Sequence, residues 1–146
     1  MDSSSRQSHS CPPGWDPFDG RCYLWATDQA KTWSEAENFC EHEGGHLASV
    51  TSKEANGFLL RRVGQHKVWI GANDKTKEGS WEWTDSSSFQ FKDWAPGQPS
   101  KQRSENCVEL YNTDEHQQGW NDLDCEALLN FVCARANFSG KIKKIP

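Results

Sequence analysis

The sequence predicts an α+β domain in which two short helices precede a set of short strands. Three observations carry this. Two capped, amphipathic segments occupy the first half, the second half is written in short aromatic runs separated by turn residues, and six cysteines stand at spacings that suit a disulfide framework. At 146 residues the chain is the size of one domain with one moderate core.

Taken in order, residues 1–10 (MDSSSRQSHS) are polar throughout and read as a disordered lead-in, without the apolar middle of a signal peptide. Order is expected from Cys11. Between Cys11 and Cys22, Pro-Pro-Gly and Phe-Asp-Gly turn signals followed by an aromatic run suggest a small hairpin closed by its own disulfide. Thr32-Trp33-Ser34-Glu35 matches a capping box, and Ala36, Phe39 and Cys40 then share one helical face until Gly44-Gly45. Thr51-Ser52-Lys53-Glu54 repeats the signal, with Ala55, Phe58, Leu59 and Val63 as the apolar stripe and Gly64 as the stop.

From Lys67 the period changes. VWIGA, SWEWT and FQFKDW read as strands, and LLNFVCAR as a closing strand. The span from Trp94 to Gly119 is polar with little periodicity, so it reads as a long loop interrupted by a CVEL strand. The domain is therefore expected over 11–136, with tails at 1–10 and 137–146.

Composition excludes several functions. With 21 acidic against 16 basic side chains the net charge is −5, a poor match to a phosphate backbone, so nucleic acid is not expected as a partner. No apolar run approaches the ~20 residues that cross a bilayer, so membrane insertion is not expected either. An even set of six cysteines without a CxxC pair points to disulfides and an oxidising compartment, and spacing alone leaves the pairing open. The sequon Asn137-Phe138-Ser139 fits the same secreted, extracellular and glycosylated reading, under which this chain is a processed form or a fragment.

His42-Glu43-Gly44-Gly45-His46 spells the H-E-x-x-H of zinc proteases, which needs both imidazoles on one helical face. Two glycines interrupt it, each costing about 1 kcal/mol in a helix interior, so the string reads as a helix stop. The carboxylate pairs Glu41/Glu43 and Asp122/Asp124 read as solvated acids rather than an acid and base, and no nucleophile setting is present, so no enzyme is expected.

The polar loop is different. Gln98, Ser100, Glu105, Asn121 and Asp122 supply amide, hydroxyl and carboxylate oxygens, the donors a hard cation prefers. If Cys107 pairs with Cys125, Glu105 comes close to Asn121-Asp122. The alternative reading of the same segment is a polar surface loop stapled by a disulfide.

Trp69-Ile70-Gly71-Ala72, Gln98-Pro99-Ser100, Glu105-Asn106-Cys107-Val108 and Trp120-Asn121-Asp122 before Cys125, in that order, resemble the C-type lectin family over nearly the whole span from Cys11 to about Arg135. The resemblance implies that family's long-form fold, with two helices flanking antiparallel sheets, a long loop region, and disulfides Cys11–Cys22, Cys40–Cys133 and Cys107–Cys125. Trp69, Ile70 and Trp120 become core residues. It implies a calcium ion and a sugar held by Gln98, Ser100, Glu105, Asn121 and Asp122, with a cis peptide bond before Pro99. The family's Glu-Pro-Asn goes with mannose-type sugars and Gln-Pro-Asp with galactose-type ones, so Gln98 leans the site toward galactose. Ser100 departs from both triplets, leaving formal charge only on Glu105 and Asp122, and 101–104 lack the aromatic residue that galactose lectins place just past the triplet. A second calcium position would map to Asp74, Glu78, Glu105 and Asn106, with Lys101 about where another acid is expected. The reading is a lectin for terminal galactose-type or mannose-type glycans, able to form a noncovalent homo-oligomer. The alternative is a calcium-independent interaction or surface-adsorbing protein, receptor-like, venom-like or ice-binding.

Overall fold

The computed structural model describes residues 11–100, 104–114 and 117–137. The expected tails, apart from Asn137, lie outside them, as does Lys101. The chain opens with β1 (Asp16–Phe18) and β2 (Arg21–Lys31), which pair antiparallel as the hairpin anticipated between the first two cysteines. Helix α1 (Trp33–His42) follows. Thr32 caps it: its hydroxyl accepts from Glu35 N at 3.2 Å, while Glu35 Oε1 accepts from Thr32 N, the reciprocal box the sequence announced.

After β3 (His46–Leu47), a strand too short to read from periodicity, comes helix α2 (Lys53–Val63). Here the cap is Ser52 rather than Thr51, since Ser52 is the extended residue whose side chain accepts from Ala55 N. With the frame moved by one, Glu54 sits one position short of where a box requires it. Two adjacent hydroxyl residues both suit an N-cap, and the apolar stripe of α2 decides between them by burying Ala55, Phe58, Leu59 and Val63.

The second half supplies β4 (Lys67–Asn73), β5 (Glu82–Trp83), β6 (Cys107–Asp114), β7 (Gln117–Leu123) and β8 (Leu129–Ala136). The strands run β1-β2-β8-β4-β6-β7, with β3 on β8 and β5 on β4, all antiparallel except β4 against β8. Alternation along β4 divides the core: Val68, Ile70 and Ala72 join the cluster under α2, and Trp69 joins the one under α1. Trp69, Ile70 and Trp120 are fully buried. The disulfides are Cys11–Cys22, Cys40–Cys133 and Cys107–Cys125.

Two expectations fail. FQFKDW forms no strand, and its only ladder contact among the described residues is a bridge from Trp94 to Trp120. Its aromatic rings instead surround Trp120, with Phe89, Phe91 and Trp94 centroids 6.1, 6.0 and 5.8 Å from it. The alternation thus records packing onto one indole, not strand pairing. Conversely, 117–123, read partly as loop, is strand β7. Its exposed Gln117 and Gln118 hide the alternation, and Gly119 at φ +121° lets Asp93 O approach to where a Cβ would meet it at 2.7 Å.

Candidate functional site

The long loop after β5 is fastened to β7 before it reaches the site. Ala95 N donates to Trp120 O at 2.8 Å and Trp120 N to Asp93 O at 2.9 Å, which places Gln98-Pro99-Ser100 beside Asp122 two residues further along the strand. The Gln98–Pro99 bond is cis, as the resemblance implied. From the other side, Cys107–Cys125 ties the start of β6 to the end of β7 and holds Glu105 nearby.

Three of the five expected residues converge. Ser100 Oγ lies 2.5 Å from Glu105 Oε1 and 2.9 Å from Asp122 Oδ2, and Ser100 N donates to Asp122 Oδ1 at 2.8 Å. A hydroxyl carries one proton, so it satisfies one carboxylate at a time. The second oxygen–oxygen approach leaves negative charge to be offset. Burial pushes the Asp122 carboxyl above its ordinary range, the Ser100 backbone and hydroxyl bonds pull it down, and the Glu105 charge adds to the rise. Gln98 belongs to the same loop, and its Oε1 is buried without a hydrogen bond among the described residues.

Asn121 is placed differently. Neighbouring strand residues face opposite sides of a sheet, and its Nδ2 donates to Glu109 Oε2 at 2.7 Å. Glu109 is itself buried, which raises its pKa, and its other oxygen has no partner among the described residues. Glu109 was missed from sequence because it sits inside an apolar strand.

The auxiliary group also assembles in part. Asn106 Nδ2 donates to Asp74 Oδ1 at 2.8 Å and to Glu78 Oε1 at 3.1 Å, while Gly79 N donates to Asp74 Oδ2 at 2.8 Å. The Asn106 amide thus stands between two carboxylates, where a cation would otherwise be needed, and Glu105 turns to Ser100 instead.

The H-E-x-x-H string breaks where expected. His42 ends α1, Gly44 has φ +88°, and His46 lies on β3 with Nδ1 2.6 Å from Glu37 Oε2. Glu37, Glu41 and His46 bring donor atoms within 4.8 Å of one another. Glu37 is already engaged by His46 and by Leu47 N, and burial, then Glu41, raises its pKa.

The Lectin C-type domain model matches residues 29–135 of this sequence. The chain belongs to the C-type lectin domain family. This family consists of non-enzymatic carbohydrate-binding proteins, and the domain is not an enzyme. It is 41% identical over 130 residues to the C-type lectin lectoxin-Lio1 of Erythrolamprus poecilogyrus, covering 84% of this chain and 78% of that one. It is 35% identical over 136 residues to the galactose-specific lectin nattectin of Thalassophryne nattereri, covering 89% and 83%. Against human C-type lectin domain family 17, member A, it is 34% identical over 86% of this C-type lectin domain but spans only 32% of that protein. Among solved structures, a calcium-independent type II antifreeze protein superposes with TM-score 0.80 at 35% identity, covering 87% of this chain and 95% of that one.

Proposed function

We propose that this domain is a secreted, calcium-dependent lectin for terminal sugars, with a galactose-type preference set by Gln98. The observation that carries the reading is the meeting of Glu105 and Asp122 on one serine hydroxyl, in the loop whose Gln98 Oε1 is buried without a hydrogen bond among the described residues. Two carboxylates, a hydroxyl and an amide oxygen are donors that fit calcium. Gln98, Ser100, Glu105 and Asp122 would hold it, with Asn121 left bonded to Glu109 on the other face of β7. Bound calcium supplies coordination positions to two neighbouring sugar hydroxyls. Glu105 and Asp122 would accept hydrogen bonds from those hydroxyls and the Gln98 amide would donate, which would orient the sugar. The galactose-specific relative supports the lean.

Isothermal calorimetry with calcium tests this. Saturable binding at one or two sites is expected, and no heat of binding up to millimolar calcium would overturn it. Ser100→Asp adds a third charge to the donor set and is expected to tighten calcium binding about tenfold or more. No gain would show that loop geometry rather than charge limits the site.

Acid should weaken the metal. Asp122 has a raised folded pKa, so protons compete with calcium above the ordinary carboxylate range, and affinity falls as pH drops through that pKa, by about tenfold per unit for one displaced proton. Without calcium the sign reverses. The folded state then binds the proton more tightly than the unfolded one, so this group's contribution to stability declines as pH rises from the unfolded Asp value through the folded one. Melting temperature against pH, with and without calcium, reads both effects.

A second reading has one observation in its favour. Ser100 brings a neutral side chain where a charged or amide ligand is usual in the family, and a calcium-independent antifreeze protein shares the fold at 35% identity. On that reading the face adsorbs a surface or binds a protein without metal. Useful avidity for glycan arrays would require several domains, and with all six cysteines in intrachain bonds any oligomer would be noncovalent.

A further inference from the structure

A cleft of ≈ 680 Å³ opens between α2, the loop that leads to Trp94 and the start of β7. It shares no lining residue with the Gln98, Ser100, Glu105 and Asp122 set. Its apolar wall is made by Phe18, Leu60 and Phe91, all half-buried. The two phenyl rings are braced from behind. Phe18 stacks on Phe58 with centroids 4.4 Å apart, and Phe91 meets the Trp120 indole edge-on at 6.0 Å.

Three cations line the same cleft: Lys53 and Arg61 on α2, and Lys92 on the loop. All are exposed, and none has a hydrogen bond or ion pair among the described residues. Of the two carboxylates there, Asp93 is held by Asn56, whose Nδ2 donates to Oδ2 at 2.7 Å, and Glu54 lies beside Lys53 in the first turn of α2. An excess of cations at this place runs against a chain whose net charge is −5.

The cleft also borders a sheet edge. β7 ends the strand order, and Trp120 turns its backbone outward there, N to Asp93 O and O to Ala95 N. Backbone direction repeats every second residue along a strand, so the N–H and C=O of Gln118 face the same outer edge, and Gln118 lines the cleft. An edge of this kind takes up an extended chain through its backbone. The spacing of the cations narrows the ligand further. Lys53 and Arg61 are eight residues apart on α2, about 12 Å along a helix, too far for one carboxylate to meet both. Two acids four residues apart in an extended chain share one face at ~13 Å, and the residue midway between them shares it too.

We propose that this cleft binds an extended acidic peptide of a partner protein, in which two carboxylates four residues apart flank an apolar side chain. The apolar side chain fills the wall of Phe18, Leu60 and Phe91, the carboxylates meet Lys53 and Arg61 with Lys92 adding attraction, and the peptide backbone joins β7 at Gln118. The inference stands apart from the lectin reading, since none of the metal donors takes part.

The probe is a fluorescein-labelled peptide, Glu-Thr-Phe-Thr-Glu, titrated in chelator and read by polarisation. Its controls are the same peptide with Lys for Glu, and one with N-methylated backbone amides. Saturable binding of the Glu peptide is expected, at least about tenfold weaker for each control and for the Arg61→Glu/Lys92→Glu double variant, and weaker as salt rises. Both substituted side chains are exposed and unpartnered among the described residues, so the melting temperature of the double variant should stay within about 2 °C of wild type. Equal binding of the Glu and Lys peptides, or of the Glu peptide to both proteins, would overturn the proposal, as would no saturation up to millimolar peptide. An N-methylated peptide that binds as tightly would remove the strand addition. Self-association in sedimentation that the double variant abolishes, with no peptide binding, would assign the cleft to a second copy of this chain and overturn the partner peptide.

Discussion

Asp122→Ala should lower calcium affinity by more than about 100-fold and abolish calcium-dependent sugar binding, while the domain still folds. Asp122 provides half of the formal charge at the site, so its removal leaves Glu105 alone to offset a divalent ion. The fold should tolerate the change because two effects oppose. Ser100 N loses the acceptor it holds at 2.8 Å, a loss of about 1–2 kcal/mol, and a buried carboxylate facing Glu105 is relieved. Asp122→Asn separates charge from geometry, since an amide oxygen still accepts from Ser100 N. It should lose calcium nearly as completely as the alanine variant. Calorimetry alongside thermal melting in chelator reads the two outcomes independently, and an Asn variant with wild-type calcium affinity would remove Asp122 from the metal set.

Replacing Cys40 and Cys133 together by alanine should cost the most stability of any disulfide change. Their separation of 93 residues means the bridge removes a large loop entropy from the unfolded chain, roughly 4–5 kcal/mol, about 2 kcal/mol more than the Cys11–Cys22 bridge with its separation of 11. Both sulfurs are buried where α1 packs on β8, and β8 pairs with β2, β3 and β4, so loosening it loosens the centre of the sheet. A fall in melting temperature of roughly 15 °C is expected by scanning calorimetry. A fall no larger than that of the Cys11/Cys22 double variant would show that loop length does not govern the contribution.

The helices were legible because their signals are local: a hydroxyl cap, an apolar stripe and a glycine stop lie within a dozen residues. The single-residue shift at Ser52 shows where local reading ends, since only packing of Phe58 and Leu59 selects between two equivalent caps. Strands were legible where alternation reports burial, as in VWIGA, and misleading where aromatic residues serve a distant partner. Phe89, Phe91 and Trp94 gather around Trp120, and no local period can say so. The site divides in the same way. Ser100, Glu105 and Asp122 were named from donor chemistry and from the order of the family's motifs. That Asn121 turns to Glu109 depends on which face of β7 it occupies, and Glu109 carries no signal of its own inside an apolar strand.

Retention on galactose-derivatised resin, with and without chelator, tests most directly the claim that calcium held by Ser100, Glu105 and Asp122 binds sugar. The protein should be retained in millimolar calcium, released by chelator, and retained again when calcium is restored. Passage without retention in calcium, or retention that chelator leaves untouched, would contradict it.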